Sequence, residues 1–189
     1  MADTIAKMLR DMVRDNADKT VQLWKDSSGE FRPVTWSQLY DNTKAFGAGL
    51  LSLGVKRGDH IGVVSDNLKE WLWADLAIVS IGAADVPRGS DSMAPEVQFI
   101  LAHAECSLVL VENPTQLDKV LSVRKNLPLV KTLIILDPEF ESAAGKVPGL
   151  PVLSFRGVQR RGREHLKQHP DCFEQEIEKS RPEELVTLI

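Results

Sequence analysis

The side chains whose chemistry reaches beyond packing are few and scattered. His165 and His169 stand four residues apart, a spacing that sets two imidazoles on one helical face as metal ligands would stand. No third ligand is nearby in the sequence, and with His60 and His103 also isolated, all four read as structural or exposed residues. Cys106 and Cys172 are far apart and neither belongs to a Cys-x-x-Cys pair, so both are expected as free thiols. The segment Val86-Pro87-Arg88-Gly89-Ser90-Asp91-Ser92 lies between a predicted strand and a predicted helix. It therefore sits at the carboxyl end of a sheet, where open α/β folds bind ligands. Arg88, Ser90 and Ser92 have the donors to hold an anionic group, but Asp91 lies in the same loop, and an Arg88–Asp91 pair that merely fixes the loop is the expected use.

Other chemistry is missing its context. Gly47-Ala48-Gly49 falls inside a predicted helix and not at a strand-to-helix turn, so it fails as a dinucleotide fingerprint. There is no Gly-x-x-x-x-Gly-Lys-Ser/Thr, no Gly-x-Ser-x-Gly and no His-Glu-x-x-His, which removes the phosphate loop, the nucleophile elbow and the zinc helix. No catalytic residue and no metal ligand set is assigned, and residues that would bind a cofactor stay unidentified. The basic stretch Arg156, Arg160, Arg161, Arg163 and Lys167 meets an acidic one at Glu174, Glu176 and Glu178; these read as solvated helical faces. Without interleaved aromatics, nucleic acid is not an expected partner.

Composition narrows the classes further. The 189 residues are 43% hydrophobic and 26% charged with a net charge of −4, an ordinary globular balance with material for one core. No stretch approaches the roughly 20 apolar residues of a membrane span, and the first residues lack the apolar core of a signal peptide. A cytoplasmic location is the expectation.

The elements that must position these residues follow from periodicity. Residues 4–15 predict a surface helix with Ile5, Met8, Leu9 and Met12 on one stripe, and residues 21–24 and 31–34 predict a β-hairpin around a polar turn. Thr35 and Gln38 have capping-box spacing, with Val34 and Leu39 as a hydrophobic staple, so a helix should begin at Trp36. Leu39, Thr43, Phe46, Leu50 and Leu53 give it one apolar face, and Gly54 is placed to end it in the left-handed conformation. Gly47 and Gly49 inside it imply close packing on a neighbour. From His60 onward, short apolar runs at 61–64, 83–86, 108–111 and 132–136 alternate with helical stretches at 69–81, 95–104 and 115–127. That alternation argues for a mainly parallel sheet flanked by helices. The stretch 69–81 is apolar nearly all round and should be enclosed between layers. Residues 137–151 read as a loop, 152–155 as a further short strand, and 185–189 as a terminal strand.

One ordered series carries a resemblance. Val34-Thr35-Trp36-Ser37-Gln38-Leu39, Leu53-Gly54-Val55-Lys56-Arg57-Gly58-Asp59-His60-Ile61-Gly62-Val63, Asn67-Leu68-Lys69-Glu70-Trp71 and Ile81-Gly82-Ala83-Ala84-Asp85-Val86-Pro87 follow one another, and continue through Ala94-Pro95-Glu96 and His103-Ala104-Glu105-Cys106 to Leu108–Val111. Together they resemble the amino-terminal part of the adenylate-forming, AMP-binding enzymes, and most closely the long-chain fatty acyl-CoA synthetases. The resemblance runs from about Val21 to Ile189.

That resemblance implies two-step chemistry in an intact parent. ATP and a fatty acid give an acyl-adenylate and pyrophosphate with magnesium assisting, and the thiol of coenzyme A then displaces AMP. It implies that residues 1–55 help build a second sheet of a large amino-terminal domain, and that residues 56–189 form a parallel subdomain ending just before the family's phosphate-binding loop. That Ser/Thr/Gly-rich loop with its Pro-Lys-Gly is not in this chain, so no family catalytic residue is carried over. The departure Pro87-Arg88-Gly89-Ser90-Asp91, where many relatives have Pro-Leu and small residues, leaves the acyl chain length open. The expectation is an amino-terminal fragment of a fatty acid–CoA ligase, inactive alone, for whose parent the resemblance suggests a homodimer; the alternative is a non-catalytic binding or assembly module of the α/β class.

Overall fold

The structure, a computed structural model, describes residues 2–145 and 147–189. It opens with helix α1 (Ile5–Asn16), capped by the Thr4 side chain on the Lys7 amide. Strands β1 (Thr20–Lys25) and β2 (Phe31–Thr35) form the expected antiparallel hairpin, a two-stranded sheet of its own. Helix α2 (Trp36–Ser52) begins where the capping box requires. Thr35 Oγ1 accepts from the Gln38 amide at 3.2 Å, and Gln38 Oε1 accepts from the Thr35 amide at 3.0 Å. Its end is also as read, with Gly54 at φ +89°, a conformation open to glycine without a Cβ penalty.

Five strands then make the main sheet: β3 (His60–Val64), β4 (Ala84–Arg88), β5 (Leu108–Val111), β6 (Thr132–Ile135) and β7 (Val152–Ser154). All pairings are parallel and the order is β4-β3-β5-β6-β7. Helices α3 (Lys69–Ser80), α4 (Ala94–His103), α5 (Pro114–Ser122), α6 (Phe155–Gln168) and α7 (Cys172–Lys179) complete the chain. The period-two alternation of each strand divides the core in two. Ile61, Val63, Leu108, Leu110 and Ile134 face α1, α2, α3, α6 and α7, while Val64, Val109, Val111, Leu133 and Ile135 face α4 and α5. Helix α3 touches α1, α2 and α7 as well as the sheet, the enclosure its apolar circumference demands.

Helices α2 and α6 approach closely because glycine lies on both sides. A Cβ on Gly49 would stand 2.3 Å from the Val158 carbonyl oxygen, and one on Gly162 would stand 1.8 Å from that of Ala45. Gly49 in α2 is thus compensated by backbone packing on α6, and Gly47 by the Phe173 ring of α7, 2.5 Å from where a Cβ would be, in keeping with the fully buried Phe46–Phe155 stack at 4.3 Å.

Four expectations are corrected. Residues 185–189 do not form a strand; Thr187 makes a single parallel bridge to Asp85, with the Asp85 amide donating to Val186 O and the Leu188 amide to Asp85 O. Helix α5 stops at Ser122, and a short 3-10 turn, Arg124–Asn126, follows. A second 3-10 segment, Pro138–Ala143, lies within the stretch read as loop. On α1 the buried line is Ala6 and Leu9, with Val13 packed on the core, so Ile5, Met8 and Met12 are exposed. Thr4 Oγ1 bonded to Ser180 Oγ at 2.7 Å and the Arg10–Glu178 ion pair fix this roll of the helix.

Candidate functional site

In an open parallel sheet, the crevice for a ligand lies outside the carboxyl ends of the strands, at the point where strand order reverses. Here the reversal falls between β3 and β5, since the chain passes from β3 to β4 on one side and then to β5 on the other. The turns there are Ser65-Asp66-Asn67 and Glu112-Asn113. They are already joined: the Asp66 amide donates to Glu112 Oε2 at 2.7 Å, and Asn113 Nδ2 donates to Glu112 Oε1 at 3.0 Å while Asn113 Oδ1 caps α5. Contacts to Ser90, whose amide donates to Asp66 Oδ1 at 3.3 Å, hold the Asp66 carboxyl below its usual range. Two carboxylates at the crevice repel phosphate, and the residues present here do not form a nucleotide cradle.

The neighbouring edge is different in charge. Arg88 ends β4, two residues beyond the strand end that the sequence reading placed at Val86. Its guanidinium makes no ion pair or hydrogen bond among the described residues, and its buried Nε has no partner. The expected Arg88–Asp91 pair does not form; the Asp91 carboxylate folds back over Gly89 instead, 2.6 Å from where a Cβ would be. Arg88 lines two clefts. One, of about 580 Å³, is shared with Ser65, Asp66, Trp71 and Gly89; the other, of about 500 Å³, is shared with Ser92, Glu96, Phe99 and Ile100. Ser92 therefore joins Arg88, whereas Ser90 is turned to Asp66 and gives its carbonyl to Lys119 Nζ at 2.6 Å. Among the described residues the half-buried Arg88 guanidinium is the one cationic group of the segment and has no partner, a donor of the kind that pairs with anions.

The remaining candidates resolve mostly into structure. His60 Nδ1 lies 2.7 Å from Ala104 O, and His103 stacks on the exposed Phe99 ring. Cys106 is buried and burial pushes its thiol up to about 12, so it is inert. The acidic residues near the carboxyl end are tertiary ties and not a solvated face. Glu174 accepts from Tyr40 and Lys44, Glu176 from Arg57, and Glu178 pairs with Arg10. Arg156 and Arg160 in turn flank Glu141.

Two groupings escaped the sequence reading because they need the fold to exist. Lys69 Nζ sits 3.5 Å from the centre of the Trp24 ring and 3.1 Å from the buried Glu70 carboxylate, in a cleft of about 680 Å³ between the hairpin and the sheet. On the other side of α3, Asp75 faces Asp85 of β4. Burial, and then the Asp85 charge, push the Asp75 carboxyl up to about 7; burial also raises Asp85, whose Oδ1 has no hydrogen-bond partner.

Comparison with known proteins places this architecture. The family model described as AMP-binding enzyme matches residues 9–189. The long-chain-fatty-acid–[acyl-carrier-protein] ligase AEE15 of Arabidopsis thaliana is 31% identical over 69% of this chain and 18% of its own length. The long-chain-fatty-acid–CoA ligase ACSBG2 of Xenopus laevis is 26% identical over 98% of this chain and 24% of its own length. The chain thus spans about a quarter or less of these curated relatives. Among solved structures, the A domain of the carboxylic acid reductase from Segniliparus rugosus superimposes with a TM-score of 0.72 at 18% identity, over 85% of this chain and 30% of that one; this likeness concerns the fold. A family match over nearly the whole chain, on a parallel sheet with an amino-terminal hairpin, makes residues 1–189 a member of the AMP-binding, adenylate-forming enzyme family.

Proposed function

We propose that this chain is the amino-terminal portion of an ATP-dependent, AMP-forming ligase that activates a long-chain fatty acid. The observation that carries the reading is the family match combined with relatives whose names are those of long-chain fatty acid ligases. In the first step, a carboxylate oxygen attacks the α-phosphorus of ATP and the bond to pyrophosphate breaks; magnesium supplies charge stabilisation on the phosphates. In the second, a thiol attacks the acyl carbon, loses its proton and expels AMP. Coenzyme A is the proposed thiol, with an acyl-carrier protein as the other acceptor that AEE15's name brings forward. Residues 1–55 are assigned to the second sheet of the parent domain and residues 56–189 to a parallel subdomain leading to the phosphate loop. The ligase is assigned to the cytoplasm, as a homodimer.

On this reading residues 1–189 alone are inactive, because the groups that would stabilise phosphate are not among them. The test is fatty-acid-dependent exchange of labelled pyrophosphate into ATP, run on this chain and on the full-length protein. Exchange by the full-length protein only is expected; exchange by residues 1–189 alone overturns the inactivity, and none by either overturns the ligase. A second reading, a binding or assembly module, is favoured by apolar side chains left exposed on the hairpin (Leu23, Phe31) and on α1 (Ile5, Met8, Met12), since such patches favour association. A chain that stays monomeric at high concentration and binds no hydrophobic dye counts against it.

A further inference from the structure

Asp85 stands where three parts of the fold meet. It lies on β4, the edge strand of the sheet, and on the face that looks toward α3, because its parallel neighbour on β3 is Ile61 of the core beneath that helix. The residue is 2% exposed, and its Oδ1 has no hydrogen-bond partner. Across from it is the half-buried Asp75 of α3, on which Asp85 is the one charge that acts. The backbone of Asp85 is also the mooring of residues 186–188. Its amide donates to Val186 O at 3.0 Å, its carbonyl accepts from the Leu188 amide at 2.9 Å, and Thr187 lies opposite with its side chain beside the Asp85 carboxyl.

Two carboxyls so placed repel when both are charged, and the surrounding groups are committed elsewhere. Helix α3 packs on α1, α2, α7 and β4. On α1, Lys7, Arg10 and Arg14 are in ion pairs with Asp3, Glu178 and Asp15. On α2, Lys44 pairs with Glu174 and Asp41 is exposed; on α7, Glu176 takes both Arg57 and Lys179; in the first turn of α3, Lys69 pairs with Glu70. Around β4, His60 is turned to Ala104 O, Glu96 to the Met93 amide, His103 to the Phe99 ring, and Glu184 to Arg57. Arg88, three residues along β4, alternates to the opposite face. The pair is left with whatever protons its own two carboxyls hold.

Which part yields when the last proton leaves follows from how each is attached. Helix α3 is enclosed by three helices, and β4 is paired with β3 along its whole length, whereas residues 186–188 make a single bridge. From an edge strand, the short way to water for the Asp85 carboxylate is outward, through the place that segment occupies. We propose that Asp75 and Asp85 form a pH-sensitive latch: with one proton between them residues 186–188 lie on the β4 edge, and with both carboxylates charged the Asp85 side chain swings outward and the segment lifts off. Arg57 keeps its hold on Glu184, so the segment hinges just beyond that residue. The last proton is bound more tightly in the latched form than in the lifted one. Burial, and then the Asp85 charge, push Asp75 up to about 7, so the latch is closed in mild acid and opens as pH rises through about 7. The open form leaves the β4 edge free to take a further strand. The latch owes nothing to adenylate chemistry and stands or falls apart from the proposed ligase activity.

The test is hydrogen exchange of the 189-residue chain read by NMR, expressed as protection factors so that the intrinsic pH dependence of exchange drops out. The carboxyl carbon shifts of Asp75 and Asp85 are recorded over the same range. Between about pH 6 and about pH 8.5 the protection of the Asp85 and Leu188 amides should fall at least about tenfold, while the amides of β3 and β5 keep theirs. Asp75→Asn keeps the shape of the side chain and removes one of the two charges. It should hold the Leu188 amide protected at the higher pH and let Asp85 lose its proton at a lower one. Leu188 protection that is constant with pH, or that falls as far in Asp75→Asn as in the parent chain, overturns the latch. Carboxyl shifts of the parent chain that show both residues ionised by about pH 5 overturn the pair itself, whether or not the variant folds.

Discussion

At the residue scale, two groups carry electrostatic consequences that can be measured without any assay of catalysis. Asp75 is raised from 3.8 to about 7, by burial first and by Asp85 second. A folded-state pKa above the unfolded one means that the native chain binds the proton more tightly. Its contribution is therefore complete below about pH 4 and is lost as pH rises through about 7. The ceiling on that loss is about 4 kcal/mol, so Asp75→Asn should be nearly neutral at pH 5 and stabilising at pH 8. Urea denaturation at the two pH values checks this, and equal effects at both would refute the assignment. Arg88 gives the second case. Because its Nε is buried without a partner, replacement by leucine removes an unsatisfied donor and should change stability by less than about 1 kcal/mol. Inorganic phosphate should raise the Tm of the parent chain, and that protection should vanish in Arg88→Leu. Neither residue's state was legible in the sequence: an arginine three residues before an aspartate reads as a pair, and only the fold of the Asp91 carboxylate back over Gly89 shows that it is not one.

At the scale of elements, legibility followed the range of the interaction that decides each one. The start and stop of α2 rest on contacts within four residues, Thr35 with Gln38 and Gly54 with its own φ, and were readable. The roll of α1 rests on Arg10–Glu178 and Thr4–Ser180, more than 160 residues away in sequence, and was not. The same division predicts the cost of substitutions. Thr35→Ala removes the hydroxyl half of the capping box, while the backbone amide of residue 35 keeps its bond to Gln38, and should lower stability by about 1 kcal/mol. Gly162→Ala places a methyl 1.8 Å from a backbone oxygen that cannot rotate away, so α6 must shift off α2, at about 3 kcal/mol or more. If chemical denaturation gave Gly162→Ala the smaller loss of the two, the close approach of the helices would be in error.

At the scale of the whole molecule, the sheet is exposed at its β4 edge, and the chain treats that edge in two ways. The Asp85 amide points outward, to Val186 O; two residues on, the outward position is Pro87, which has no N–H to leave unpaired. The segment at 186–188 covers the rest with one bridge and is itself held by Arg57, whose guanidinium binds Glu184 Oε2 at 2.6 Å and Glu176 Oε2 at 2.9 Å. A single residue thus ties α7, the segment at 184–188 and, through it, the β4 edge. Sequence reasoning predicted a strand at 185–189 where the structure has a single bridge, because one bridge and a full ladder have the same apolar pattern. Arg57→Gln removes both ion pairs and leaves the bridge unsupported. The amides of Asp85 and Leu188 should then exchange with solvent at least about tenfold faster, the amides of β3 and β5 should keep their protection, and the uncovered edge should promote self-association. Hydrogen exchange and sedimentation read the two effects separately. Unchanged exchange at Asp85 would mean that the bridge holds itself, whereas faster exchange with no association would mean that Pro87 alone is enough to guard the edge.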